Sequence, residues 1–160
     1  MDISETTPMG TPSLASLPLV MLVEDNPHDV QLLQEAFRER GIYLRFLVAD
    51  CAQKAFGVLR LFPASGLPCL IILDLSLPIV SGHTLLRDFA RNPTWTPIPK
   101  IVLTSSERES DRVVSLASGA AAHIVKPATF DQYLGLVDQL LAYLPSTAKT
   151  EPPTAMHMDR

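Results

Sequence analysis

Five short apolar runs recur along the middle of the chain, each followed by a stretch with helical spacing, and this alternation leaves few folds open. The runs are Leu19–Val23, Tyr43–Ala49, Cys69–Leu73, Lys100–Thr104 and Ala121–Val125. The third, CLIIL, is apolar at every residue. Unbroken apolar character over a short run marks a strand covered on both faces, not one with a wet side. The first helix has Asn26 as its N-cap and Pro27 at its first position, and it runs to about Arg40 before stopping at Gly41. Val30, Leu33 and Phe37 recur along it at helical spacing. Further helices are predicted over Ala52–Phe62, Thr84–Ala90, Glu107–Ala117 and Phe130–Leu144. The order βαβαβαβαβα predicts an α/β domain with a doubly wound five-stranded parallel sheet and five helices. The 14 prolines all fall in tails, loops or helix starts under this assignment, as their missing N–H requires.

The 160 residues suit one domain with tails. Residues 1–17 and 145–160 are rich in Ser, Thr and Pro and read as flexible tails around a folded domain at 18–144. A net charge of -4 argues against a nucleic-acid surface, which needs clustered Lys and Arg. Cys51 and Cys69 lack metal-like spacing and are expected to be reduced thiols. With no signal peptide and no membrane-length apolar run, a cytoplasmic location without a membrane partner is expected.

In open parallel sheets, ligands bind at the carboxyl ends of the strands. Here those ends carry Glu24 and Asp25 (first strand), Asp74 (third) and Thr104 (fourth), with Lys126 just after the fifth. Any one of these has an ordinary explanation as a cap, a β-former or a solvated charge. Three carboxylates at one rim, however, bear like-charge repulsion and desolvation that one lysine does not offset. Mg²⁺, which prefers oxygen ligands and keeps several waters, suits that deficit. Asp74 is a candidate nucleophile toward phosphorus, Lys126 a partner for the phosphoryl oxygens, and Thr104 a hydroxyl that bonds the group once it is attached.

Four segments, VMLVEDNPHDVQLLQEAF, LIILDLSLPIVSG, PKIVLTSSE and GAAAHIVKP, occur in this order. Together they resemble the CheY-like receiver domain of two-component response regulators, from about Leu19 to Leu144. The fold that the resemblance implies is the flavodoxin-like/CheY-like one. It further implies that Asp74 is the phosphoacceptor, that Asp25 and Asp74 bind Mg²⁺ directly, and that Glu24 acts mostly through water. The backbone carbonyl of Ser76 would be a third protein ligand, Thr104 the switch hydroxyl and Lys126 the phosphoryl-pairing lysine. A cis peptide is expected at Lys126-Pro127. The opening VEDNPHDV and the fourth strand are most similar to single-domain regulators, including those paired with bacterial phytochromes, so the expected partner is a sensor histidine kinase. One position departs from the family, which places Tyr or Phe three residues before the lysine where this chain has His123. A histidine is smaller, more polar and titratable, so the coupling of Thr104 to this position is expected to be weakened or pH-sensitive.

Competing readings fit less well. A flavodoxin-type flavin carrier needs a Ser/Thr/Gly-rich phosphate loop where this chain has Glu-Asp-Asn-Pro. A dehalogenase-type phosphatase needs an aspartate two residues past the nucleophile, and that residue is Ser76. A non-phosphorylated pseudo-receiver would usually have lost a key residue. The protein is thus expected not to be an enzyme beyond its own phosphorylation and dephosphorylation. Output is expected through a protein contact, a dimer change or onward transfer. The last helix carries two adjacent apolar stripes, Phe130, Leu134, Val137, Leu141, Leu144 and Tyr133, Leu136, Leu140, Tyr143, so a homodimer through this region is expected.

Overall fold

The computed structural model describes residues 13–148. Five parallel strands form one sheet in the order β2-β1-β3-β4-β5. The strands are β1 (Leu19–Val23), β2 (Arg45–Ala49), β3 (Leu70–Leu73), β4 (Lys100–Thr104) and β5 (Ala122–Val125). The helices are α1 (Pro27–Glu39), α2 (Ala52–Leu59), α3 (Gly82–Arg91), α4 (Glu109–Ala117) and α5 (Phe130–Leu140). The expected fold class and element order are both present, with ends shifted by a few residues. β2 starts at Arg45 rather than Tyr43, α2 stops at Leu59 rather than Phe62, and α5 stops at Leu140, followed by a 3₁₀ turn over Leu141–Tyr143.

Period-two alternation along each strand divides the interior into two cores. Val20, Leu22, Leu70, Ile72, Ile101 and Leu103 face α1 and α5, while Met21, Val23, Ile71, Leu73 and Val102 face α2 and α3. β1 and β3 are covered on both sides, which is why they read as unbroken apolar runs. Phe56, Phe89 and Trp95 close the second core with ring centroids 5.3–6.0 Å apart.

Helix starts set the loop geometry at the carboxyl rim. Asn26 Oδ1 accepts from His28 N at 3.0 Å, with Pro27 at the first helical position, as the sequence predicts. Ser81 caps α3, and Thr129 with Gln132 forms a capping box on α5. Parts of the two expected tails fall outside the described residues. Of the parts inside, Leu17 and Ala148 are buried, so packing continues past positions 18 and 144.

The double apolar face of α5 has an internal explanation in large part. Tyr133, Leu136, Val137 and Leu140 are buried, and Leu134, Leu141, Tyr143 and Leu144 pack partly buried on the same core, which α1 shares. Phe130 is the member left exposed.

Candidate functional site

The sheet brings its expected polar residues to one rim. β1 hands over to Glu24 and Asp25, β3 to Asp74 and β5 to Lys126, while Thr104 ends β4. Backbone pairing continues the parallel ladder into these residues: Asp74 N donates to Val23 O at 3.0 Å and Lys126 N donates to Thr104 O at 2.8 Å. One ligand oxygen each from Glu24, Asp25 and Asp74 lie within 4.8 Å of one another. Lys126 Nζ sits among the carboxylates, 2.6 Å from Glu24, 2.8 Å from Asp29 and 2.9 Å from Asp74.

Asp29 is the member that the sequence reading missed. Its signal was present: an acid in the first turn of α1, five residues after Glu24, on a helix whose N-terminus opens at the rim. It joins the lysine's partners because α1 starts directly from the β1 loop through the Asn26 cap.

Electrostatics follow from this crowding. Asp74 is buried, and Glu24 and Lys126 nearly so. Burial raises the Glu24 pKa, and the bonds from Lys126 and from Asn26 N only partly oppose that effect. Burial alone would lower the Lys126 pKa, but bonds to Asp29, Glu24 and Asp74 outweigh it and hold the ammonium firmly protonated. The remaining Asp74 oxygen, Oδ1, accepts from Ser76 N at 3.2 Å.

The loop from β3 to α3 is pressed onto the aspartate. A Cβ on Gly82 would lie 2.4 Å from Asp74 O and 2.7 Å from Leu75 Cα, so only glycine fits there. At the far end of that loop Ile79 is fully exposed at φ 66, a left-handed conformation that is strained for a β-branched residue.

Thr104 is fully buried, and its Oγ1 accepts from Ser106 N at 3.3 Å. His123 pairs with Val102 in the sheet and turns to the same face as Thr104, toward α4. Its Nδ1 lies 3.1 Å from Ser115 Oγ. One expectation is corrected: no cis peptide occurs among the described residues, so Lys126-Pro127 is trans. The trans amide is the lower-energy form, and the four-carbon lysine stem reaches all three carboxylates from it.

A parallel sheet that presents an aspartate among further carboxylates, a buried hydroxyl and a locked lysine defines a phosphoryl-accepting signalling domain, not a nucleotide or flavin carrier. The chain belongs to the response regulator receiver domain family, whose model matches residues 20–138. A similar protein, the probable methanogenesis regulatory protein FilR2 of Methanothrix harundinacea, is 31% identical over 127 residues, 78% of this chain and 82% of its own length. The crystal structure of the phosphorylated cyanobacterial phytochrome response regulator RcpA is similar at TM-score 0.73 and 30% identity, covering 82% of this chain and 96% of that one. The Mn(2+)-bound form of response regulator Rcp1 is similar at TM-score 0.68 and 26% identity, covering 78% and 92% respectively. The protein is therefore a two-component signalling receiver. No helix among the described residues is long and apolar enough to cross a membrane.

Proposed function

We propose that this receiver takes a phosphoryl group onto Asp74 from the phosphohistidine of a sensor kinase, with Mg²⁺ bound by the acidic cluster. The observation that carries the reading is the position of Asp74. It is buried, one oxygen is paired with Lys126 Nζ at 2.9 Å, and the other carboxylates of the rim share its pocket. In the transfer a carboxylate oxygen of Asp74 bonds to phosphorus as the phosphorus–nitrogen bond to the donor imidazole breaks. The product is an acyl phosphate, and the imidazole leaves with the electron pair. Lys126 stays near the equatorial oxygens and balances their charge.

The donor set fits Mg²⁺: Asp25, Asp74 and Glu24 supply hard oxygen ligands, and the Ser76 carbonyl lies two residues beyond the nucleophile. When bound, Mg²⁺ supplies charge neutralisation for the transferring group. The Mn(2+)-bound state of Rcp1 supports this assignment. Thr104 is the hydroxyl that bonds the phosphoryl group and gives up its present contact with Ser106 N.

The similarity to a phytochrome response regulator supports a phytochrome-type kinase as donor. The reading places the protein in the cytoplasm, where such kinase domains act, as a protein that modifies only itself. Homodimerisation through the last-helix region has its support in Val125, the last residue of edge strand β5, and Phe130, the first of α5, which both stay exposed.

Incubation of the whole chain with acetyl phosphate and Mg²⁺, followed by intact mass measurement, tests the chemistry. A gain of about 80 Da is expected, the mass of one phosphoryl group. It should be absent in Asp74→Asn and in excess chelator. A gain that survives in Asp74→Asn would overturn the assignment.

A further inference from the structure

α4 is held to the domain in an unusual way. Its one buried residue is Ser115, a polar one, while Val113, Val114 and Leu116 are exposed. A helix ordinarily docks through an apolar stripe. Here the docking point is a hydroxyl, fully buried, with a histidine on either side. Ser115 Oγ lies 3.1 Å from His123 Nδ1 in β5 and 3.2 Å from His83 Nε2 in α3.

Hydrogen-bond chemistry fixes the direction of this chain. His83 Nε2 also lies 3.3 Å from the backbone oxygen of Asp111. A carbonyl oxygen only accepts, so His83 carries its proton on Nε2. That one hydrogen is shared between Asp111 O and Ser115 Oγ, so the serine accepts from His83 and keeps its own proton for His123 Nδ1. His123 is left neutral, with its proton on Nε2, and the nearby Ser106 backbone favours its protonation.

Both ends of the relay touch the acidic pocket's surroundings. Ser106 N donates to Thr104 Oγ1, and Ser106 Oγ donates to the Asp111 carboxylate in the first turn of α4. At the other end, His83 follows Gly82, whose backbone abuts Asp74 O.

We propose that His83 and Ser115 are positioning residues for the switch, holding His123 in one tautomer and thereby locking α4 and the Thr104–Ser106 turn in the resting arrangement. Protonation of His123 puts a hydrogen on Nδ1, facing Ser115. The serine then meets two N–H donors, and its own hydrogen must turn to another acceptor, the Asp111 carbonyl that His83 already uses. The lock therefore loosens in acid. The charged and titratable groups around His123 are Asp111, which favours its protonation, and Arg112 and His83, which oppose it. Burial, the largest influence, holds its pKa below the ordinary histidine value.

Nitrogen NMR of the whole chain tests the relay directly. In wild type at pH 7.5, His123 should be the Nε2–H tautomer. His83→Leu and Ser115→Ala should convert it to a mixture and speed amide exchange in α4. His83→Gln, whose amide can still donate to Ser115, should restore the single tautomer. A second arm rests on the phosphoacceptor reading: with Mg²⁺, beryllofluoride as phosphoryl mimic should bind His83→Leu roughly threefold to tenfold more tightly than wild type, the worth of one released hydrogen bond. His83→Gln should bind it as wild type does. An unchanged His123 tautomer in both His83→Leu and Ser115→Ala would overturn the proposal, as would equal beryllofluoride affinity in His83→Leu and wild type. If wild type fails to bind beryllofluoride at all, the phosphoacceptor reading fails, and the tautomer measurement alone decides the relay.

Discussion

Lys126 is the residue on which the electrostatics of the rim converge, with Glu24, Asp29 and Asp74 all within 2.9 Å of its ammonium. Asp25 is more exposed and lies outside that set, although its carboxylate is within 4.8 Å of those of Glu24 and Asp74. It adds repulsion that the lysine does not answer. In metal-free buffer, Asp25→Asn should therefore raise the unfolding free energy by about 1 kcal/mol, the Coulomb energy of like charges roughly 5 Å apart in a water-like medium. With Mg²⁺ the order should reverse, because wild type gains ion binding that the variant lacks. Urea unfolding with chelator and with Mg²⁺ checks both arms, and a variant no more stable than wild type in chelator would contradict the repulsion argument. The strand-end acids, Thr104 and Lys126 were legible in sequence because parallel β–α order alone fixes which residues end strands. Asp29 was not, because its place depends on how tightly α1 turns away from β1 at Asn26 and Pro27. Nor was the pairing of His83 with Ser115, which lie 32 residues apart and meet only through the packing of α3 on α4.

Among the elements, the β3–α3 connection is the most constrained near the site. Gly82 leaves no room for a methyl group against Asp74 O and Leu75 Cα. Gly82→Ala should cost on the order of 1–3 kcal/mol as the backbone shifts to relieve overpacking. The same shift displaces Asp74, so the rate of phosphorylation by acetyl phosphate should fall more than Mg²⁺ affinity at Glu24 and Asp25. Wild-type stability in this variant would show that the loop gives way freely. β4 carries a different tension at its opposite end. Lys100 is buried, and its ammonium donates to Trp95 O at 2.6 Å and Thr96 O at 3.1 Å, closing the turn ahead of the strand. Burial lowers its pKa from 10.5 to about 8. Below about 8 both folded and unfolded chains hold this proton, and the cost of the buried charge is fully present. Between about 8 and 10.5 the unfolded chain still holds a proton that the folded chain has released, so stability rises with pH across this window. The gain is on the order of 1–3 kcal/mol, reduced by the two carbonyl bonds that favour the charged form. Urea unfolding from pH 7.5 to 10 should show wild type gaining stability relative to Lys100→Met, and parallel curves would contradict it. The strand itself was legible, but the burial of its first residue was not. A lysine at the mouth of a strand reads as solvated until the 92–98 turn is seen folding over it.

At the scale of the whole molecule, two cores share one sheet, and their division explains what the sequence could and could not say. Every strand and α-helix of the described residues was visible from apolar period and from Pro, Asn and Gly punctuation. The second apolar stripe of α5 was visible as well, but which surface covers it is a property of the assembled fold. Much of that stripe is used against the core that α1 shares. Any dimer contact through this region therefore rests on Val125 and Phe130 at the β5 edge. Sedimentation at high micromolar concentration should give a dimer for the phosphorylated chain and a lighter species for Phe130→Ser; a monomer throughout would remove the dimer. The central proposal is narrower: Asp74, paired with Lys126 alongside Glu24 and Asp29 and clustered with Glu24 and Asp25, is the residue that takes the phosphoryl group. Reductive trapping tests it most directly. The chain is phosphorylated with acetyl phosphate and Mg²⁺, reduced with borohydride, digested, and sequenced by mass spectrometry. An acyl phosphate on aspartate is reduced to homoserine, and homoserine should be found at position 74 and at no other aspartate. Homoserine at Asp25 or Asp29, or phosphorylation that leaves no homoserine anywhere, would contradict the account.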